Sequence, residues 1–262
     1  MSLEEVLRLR RSSGGKLLVP YITAGASDRW LEVIDAYGDA GADAIEVGLP
    51  FSDPMMDGPT IEEASRRALA GGATPSRILD DLAGHHSGVP LIVMTYYNLI
   101  AHVGHPAMAR RLAAAGVSGA IVPDLSVDEA GGWSEIAAGA GIDNILMAAP
   151  TSSDSRLERI CAASRGFVYS VGILGVTGER AVLSASALDT ARRLKQRTDL
   201  PVLVGIGVST PAQAASLVGT ADGVIVGSAL MRLLLDGSSP AELGVAVGAL
   251  REAIDAGLAE AS

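Results

Sequence analysis

A single carboxylate interrupts an apolar run at Ala44-Ile45-Glu46-Val47-Gly48. Side chains alternate along a strand, so Ile45 and Val47 would share one face and Glu46 would take the other. A carboxylate enclosed by apolar walls is costly unless it is used or paired. Burial also disfavours its charged form, so it titrates high. No Lys or Arg stands at a neighbouring strand end to pair with it, and the residue reads as a proton-transfer group. The alternative is a structural carboxylate paired to a buried cation. A loop follows, Pro50-Phe51-Ser52-Asp53-Pro54-Met55-Met56-Asp57-Gly58-Pro59-Thr60, whose turn chemistry suits a mobile lid or site loop. It carries two more carboxylates, Asp53 and Asp57. From spacing alone, either serves a site, stabilises a turn or caps the helix that starts near Thr60.

The last third of the chain holds three glycine-bearing turns: Gly175-Val176-Thr177-Gly178, Gly205-Ile206-Gly207-Val208-Ser209 and Gly227-Ser228-Ala229. Ser228 has the side chain of an N-cap for a short helix over about Ala229–Leu235. The free N–H groups of such a helix bind an anion without any net positive charge. Tight turns need glycine in any case, but three at successive strand ends favour a phosphate site.

Elements that position these residues are visible in the spacing of apolar side chains. Strands are expected at Leu17–Ile22, Ala44–Val47, Leu91–Thr95, Ala120–Pro123, Asn144–Ala148, Phe167–Val171, Val202–Gly205 and Gly223–Val226. Helical spacing falls between them, at Trp30–Ala40, Ile61–Ala70, Met108–Ala115, Ala185–Lys195 and Pro211–Val218. Eight strands alternating with eight helices predict a parallel sheet closed into a (β/α)8 barrel, the TIM-barrel fold. A short extra helix, about Leu3–Arg11, precedes the first strand. No linker divides the 262 residues, so one domain is expected over 1–262. In such barrels chemistry sits at the C-terminal strand ends, where Glu46 and the glycine turns fall.

Composition narrows the function classes. A net charge of −10 argues against nucleic acid or an anionic membrane surface as partner. The one cysteine, Cys161, cannot form an internal disulfide and reads as small apolar filler in a reducing compartment. With no signal-like stretch behind Met1 and no run long enough to span a bilayer, a cytoplasmic location is expected.

The run Ile45-Glu46-Val47-Gly48-Leu49-Pro50-Phe51-Ser52-Asp53-Pro54, with Asp57-Gly58-Pro59-Thr60 behind it, resembles the signature of the tryptophan synthase alpha subunit family. Further matching stretches are Pro20-Tyr21-Ile22-Thr23-Ala24-Gly25, Met94-Thr95-Tyr96-Tyr97-Asn98, Ile121-Val122-Pro123-Asp124-Leu125 and the Gly175 and Gly205 turns. They occur in the family's order and span nearly the whole chain. The resemblance implies a lyase that splits indole-3-glycerol phosphate into indole and glyceraldehyde 3-phosphate by a retro-aldol reaction, with no metal and no cofactor. It implies that Glu46 moves protons, that Asp57 stabilises positive charge on the indole, and that Tyr169 helps to position Glu46 or the substrate. It also implies an indole slot from Tyr21, Met94, Ile121, Met147 and Ile206, and a phosphate site from Gly178, Gly207, Gly227 and Ser228. From spacing alone Tyr169 reads equally as a core aromatic.

The sequence departs from the family pattern at Ala26, Met56, Ser126 and Gly172, in loops that in the family dock onto a beta subunit. The resemblance implies a tryptophan synthase beta subunit as partner, in a heterotetramer, and these departures bear on that partner rather than on Glu46 or Asp57. A stand-alone lyase releasing indole and a mainly allosteric binding subunit stay open as alternatives. A phosphosugar isomerase on the same fold fits the strand-two signature less well. Met55 and Met56 admit two expectations: packed on the barrel rim they would hold Asp57 in place unaided, and at an interface they would meet a partner.

Overall fold

The computed structural model describes residues 2–172, 185–205, 207–217 and 219–261. Its strands, in chain order, are β1 Leu17–Thr23, β2 Ile45–Gly48, β3 Leu91–Met94, β4 Val117–Ile121, β5 Asp143–Ala148, β6 Val168–Ser170, β7 Val202–Val204 and β8 Gly223–Val226. Each pairs in parallel with the next, and β1 pairs with β8 from Leu17↔Gly223 to Pro20↔Val226, which closes the barrel. β4 starts earlier than the sequence suggests: after Gly116, at φ 72°, Val117 already pairs with Leu91, and the register then skips Ser118 to Ile92↔Gly119.

The helices are α1 Leu3–Ser12, α2 Trp30–Asp39, α3 Pro59–Ala70, α4 Pro75–Ala83, α5 Tyr97–Val103 and α6 His105–Ala114. They continue as α7 Gly131–Gly139, α8 Asp154–Ala163, α9 Ala185–Lys195, α10 Pro211–Ser216, α11 Ser228–Leu235 and α12 Pro240–Ala261. The expected one helix per strand is therefore corrected: among the described residues three connections carry two. Each split has a local cause. Thr74 caps α4 ahead of Pro75, Gly104 at φ 87° ends α5, and Pro240 starts α12. Among the described residues, no helix is long and apolar enough to cross a membrane.

Alternation along the strands divides the core in two. Leu18, Ile45, Val47, Val93, Val202 and Val224 face outward and pack with the helices. Val19, Ala44, Ile92, Ile145, Phe167 and Leu203 face inward and fill the barrel. Helix α1 stoppers the N-terminal end. Its Leu3 and Leu7 are fully buried in that inner cluster, each burial contributing about 1.5–3 kcal/mol. Leu3 presses so close to β4 that a Cβ on Gly119 would lie 2.7 Å from its Cδ2. Aspartates at the strand starts tie neighbours together at this end: Asp43 accepts from Leu18 N–H (2.8 Å) and Asp222 from Val202 N–H (2.9 Å). With one end plugged, the opposite mouth is where polar side chains gather.

Candidate active site

Glu46 points into the barrel, as the alternation requires, in register with Tyr21 of β1 and Ile92 of β3. It is 2% exposed, and its Oε2 is buried without a hydrogen-bond partner among the described residues. Among the described residues no ion pair involves it, so the paired-carboxylate alternative has no support there. Burial, reinforced by the nearby Asp57 charge, pushes its carboxyl up from 4.5 to about 8. The group is a carboxylic acid at neutral pH.

Asp57 arrives from the loop between β2 and α3. Burial raises its carboxyl from 3.8 to about 6, against the hydrogen-bonding interaction of the Tyr96 hydroxyl, which favours the charged form. Asp53 is different. It is exposed and accepts from its neighbour Ser52 Oγ (2.6 Å), a turn contact. Neither aspartate caps α3, whose N-cap is Gly58 with no side-chain bond. The two carboxyls of the mouth, Glu46 and Asp57, thus hold protons with different strength for identifiable reasons, one enclosed by apolar walls and one beside a phenol.

Tyr169 lies in register with Met147 and Leu203 and is buried against the inner cluster. Its phenol titrates well above 10 through burial first, then the Glu46 charge. Gly205 makes room for it, since a Cβ there would lie 1.9 Å from Tyr169 Cε2. Tyr21 is treated similarly by Gly48. A Cβ on Gly48 would fall 2.0 Å from the Tyr21 hydroxyl, which instead bonds Thr23 Oγ1 at 3.0 Å. Met94 pairs with Gly48 and Ile121, and Met94 and Met147 pack partly buried on the inner cluster that holds Ile121. Tyr21, Met94, Ile121, Met147 and Tyr169 therefore come from five strands to one apolar mouth beside Glu46. Ile206 and Gly178 lie outside the described residues.

At β8 the structure corrects one detail. Ser228 is the first residue of α11, and Gly227 is its N-cap, with no side-chain bond; the Gly227 carbonyl accepts from Met231 N–H at 3.0 Å. The N–H groups of the first turn still precede that first helical bond, so the anion-binding argument is kept by the backbone rather than by a serine cap. Gly207 follows β7 at φ 91°, a conformation that L side chains rarely adopt.

The methionines also require correction. Met55 is 83% exposed and Met56 44%, so they do not pack on the rim to fix Asp57. The loop is held by Tyr96, whose hydroxyl accepts from Met56 N–H at 2.9 Å and whose ring stacks on Phe51 at 5.0 Å and 26°. In the sequence Tyr96 stands only within a matching stretch, and no spacing marks it as the anchor of this loop.

Comparison with known proteins agrees with this geometry. The family model described as tryptophan synthase alpha chain matches residues 7–252. The tryptophan synthase alpha chain of Streptomyces avermitilis is 44% identical over 252 residues, 95% of this chain and 91% of the relative. That of Halorhodospira halophila is 42% identical over 262 residues, 97% and 96% of the two chains. Among solved structures, tryptophan synthase from Mycobacterium tuberculosis superposes with a TM-score of 0.89 at 40% identity, covering 96% of this chain and 97% of that one. Tryptophan synthase subunit alpha of Legionella pneumophila gives a TM-score of 0.89 at 31% identity, over 98% and 99%. The chain belongs to the tryptophan synthase alpha chain family.

Proposed function

We propose that this protein is the lyase that splits indole-3-glycerol phosphate into indole and glyceraldehyde 3-phosphate, acting as one 262-residue catalytic domain in the cytoplasm. The observation that carries this reading is the pair of carboxyls at one barrel mouth with separated proton affinities, Glu46 near 8 and Asp57 near 6. Glu46, protonated at rest, gives its proton to indole C3, and the ring's enamine electrons form the new C–H bond. Asp57, ionised, stabilises the positive charge that appears on the ring nitrogen. Glu46, now a carboxylate, takes the proton of the side-chain hydroxyl. The oxygen's electrons form the aldehyde, the bond to C3 breaks, and its electrons return the ring to neutral indole. The proton balance closes on Glu46, and the steps ask for no metal or other cofactor.

Tyr169 and Tyr21 wall the slot with Met94, Ile121 and Met147, while Gly207, Gly227 and Ser228 receive the phosphate; the resemblance adds Ile206 to the first set and Gly178 to the second. The α11 N-terminus supplies partial positive charge that a chain of net charge −10 otherwise lacks. The protein works as the alpha subunit against a beta subunit, and the exposed Met55 and Met56 offer that partner adaptable apolar contacts. The test is direct: the purified chain, alone and with a beta subunit, is given indole-3-glycerol phosphate and indole release is followed. Glu46→Gln should lose about 10²–10⁴-fold in turnover while folding normally. A folded Glu46→Gln variant with near-normal turnover would remove the assignment.

A further inference from the structure

The stretch Tyr96-Tyr97 and the residue Asp124 have no role in the reaction as derived, yet they connect three loops of the mouth. Tyr96 is 3% exposed and is the N-cap residue of α5, with no side-chain cap of its own. Its hydroxyl oxygen already accepts from Met56 N–H, so the hydroxyl proton is free to turn toward the Asp57 carboxylate beside it. The next N–H, that of Tyr97, is one of the orphan donors that open a helix. It donates to Asp124 Oδ1 at 2.9 Å, from the loop that follows β4. A carboxylate from a different loop thus caps α5 and fixes the start of the helix that carries Tyr96. Burial first, then the Asp57 charge and least of all the Asp124 charge, oppose ionisation of Tyr96.

We propose that Asp124 and Tyr96 form a positioning relay for Asp57, in which Asp124 fixes the first turn of α5 and Tyr96 holds the β2–α3 loop and aims its carboxylate. The proposal rests on the assignment of Asp57 above. Both residues act through Asp57 and neither needs to touch substrate. Phe51, stacked on the Tyr96 ring, adds a second grip on the same loop.

The deciding experiment reads Asp57 without substrate. Carbon-13 NMR of labelled aspartate carboxyls follows each titration, and the signal lost in Asp57→Asn identifies Asp57. Tyr96→Phe removes the donor that favours the charged form, so the Asp57 midpoint should rise above its wild-type value near 6. Asp124→Ala, at an exposed position where folding is safe, should move it the same way by less, and Asp124→Asn, which still accepts from Tyr97 N–H, should restore it. An unmoved midpoint in Tyr96→Phe, or Asp124→Asn as damaging as Asp124→Ala, overturns the relay. The kinetic arm separates this from failure of the reaction itself. Where wild type releases indole, kcat should fall about 10–100-fold in Tyr96→Phe and about 3–10-fold in Asp124→Ala, with KM changed less. A wild type that releases none refutes the reaction and leaves the NMR result to decide the relay.

Discussion

Keeping Glu46 enclosed and unpaired makes the fold's stability depend on pH, and the dependence can be worked out with its sign. The folded carboxyl titrates near 8 and an unfolded one near 4.5, so between these values the native state binds the extra proton. Stability therefore falls as pH rises through that window, by about 1.4 kcal/mol per pH unit, and by about 5 kcal/mol across all of it. Asp57 adds a fall of the same sign at lower pH, between 3.8 and about 6. Glu46→Gln isolates the first effect, because glutamine has the shape of the protonated acid and never ionises. The variant and wild type should melt together near pH 4, and at pH 9 the variant should be the more stable. A difference of about 5 kcal/mol in a chain of this size is a gap on the order of 10 °C in Tm. Calorimetry at a series of pH values measures it. In the proposed reaction the same two groups set the rate, with Asp57 ionised and Glu46 protonated, so kcat/KM should form a bell with limbs near 6 and near 8. A gap in Tm that is constant from pH 5 to 9 would refute the reasoning, since it would mean that Glu46 titrates alike in the folded and unfolded chain.

Two further outcomes follow from the walls of the mouth. Gly48→Ala places a Cβ 2.0 Å from the Tyr21 hydroxyl and Gly205→Ala one 1.9 Å from Tyr169 Cε2, so each should displace its tyrosine, cost about 1–3 kcal/mol in stability and slow turnover; unchanged Tm and kcat would show that the rings are not held there. Ser228→Ala and Gly207→Ala should raise KM for the phosphorylated substrate more than they lower kcat, leaving the dephosphorylated analogue unaffected, and an equal effect on both substrates would remove the phosphate site from α11 and the turn after β7.

How much of this was legible in the sequence depends on the range of the interaction involved. Glu46 inside the barrel was legible because strand alternation is local, and its neighbours Ile45 and Val47 are found on the helix side as that alternation demands. The closed ring of eight strands was legible from their number and spacing. The second helices at Thr74–Pro75 and Gly104 were not, because they start or stop through caps and backbone geometry rather than through apolar spacing. Ser228 has the side chain of an N-cap, but the turn leaving β8 starts the helix one residue sooner. Tyr96 holding Asp57, and Met55 and Met56 standing in solvent, are facts of tertiary contact that no local spacing encodes.

Charge gives the burial of Glu46 a second consequence. An acidic chain must draw a phosphorylated substrate into a mouth lined by two carboxyls, against its own field. Because Glu46 stays protonated up to about pH 8, only one of these two carboxyls, Asp57, meets the incoming anion with a charge. The remaining attraction comes from the first turn of α11, on β8, two strands from β2 around the ring. In the proposed reaction, acid catalysis and anion binding thus draw on one feature, a buried Glu46 Oε2 with no partner among the described residues. A lysine or arginine placed beside Glu46 would attract phosphate more strongly. It would also ionise Glu46 and leave indole C3 without its proton donor.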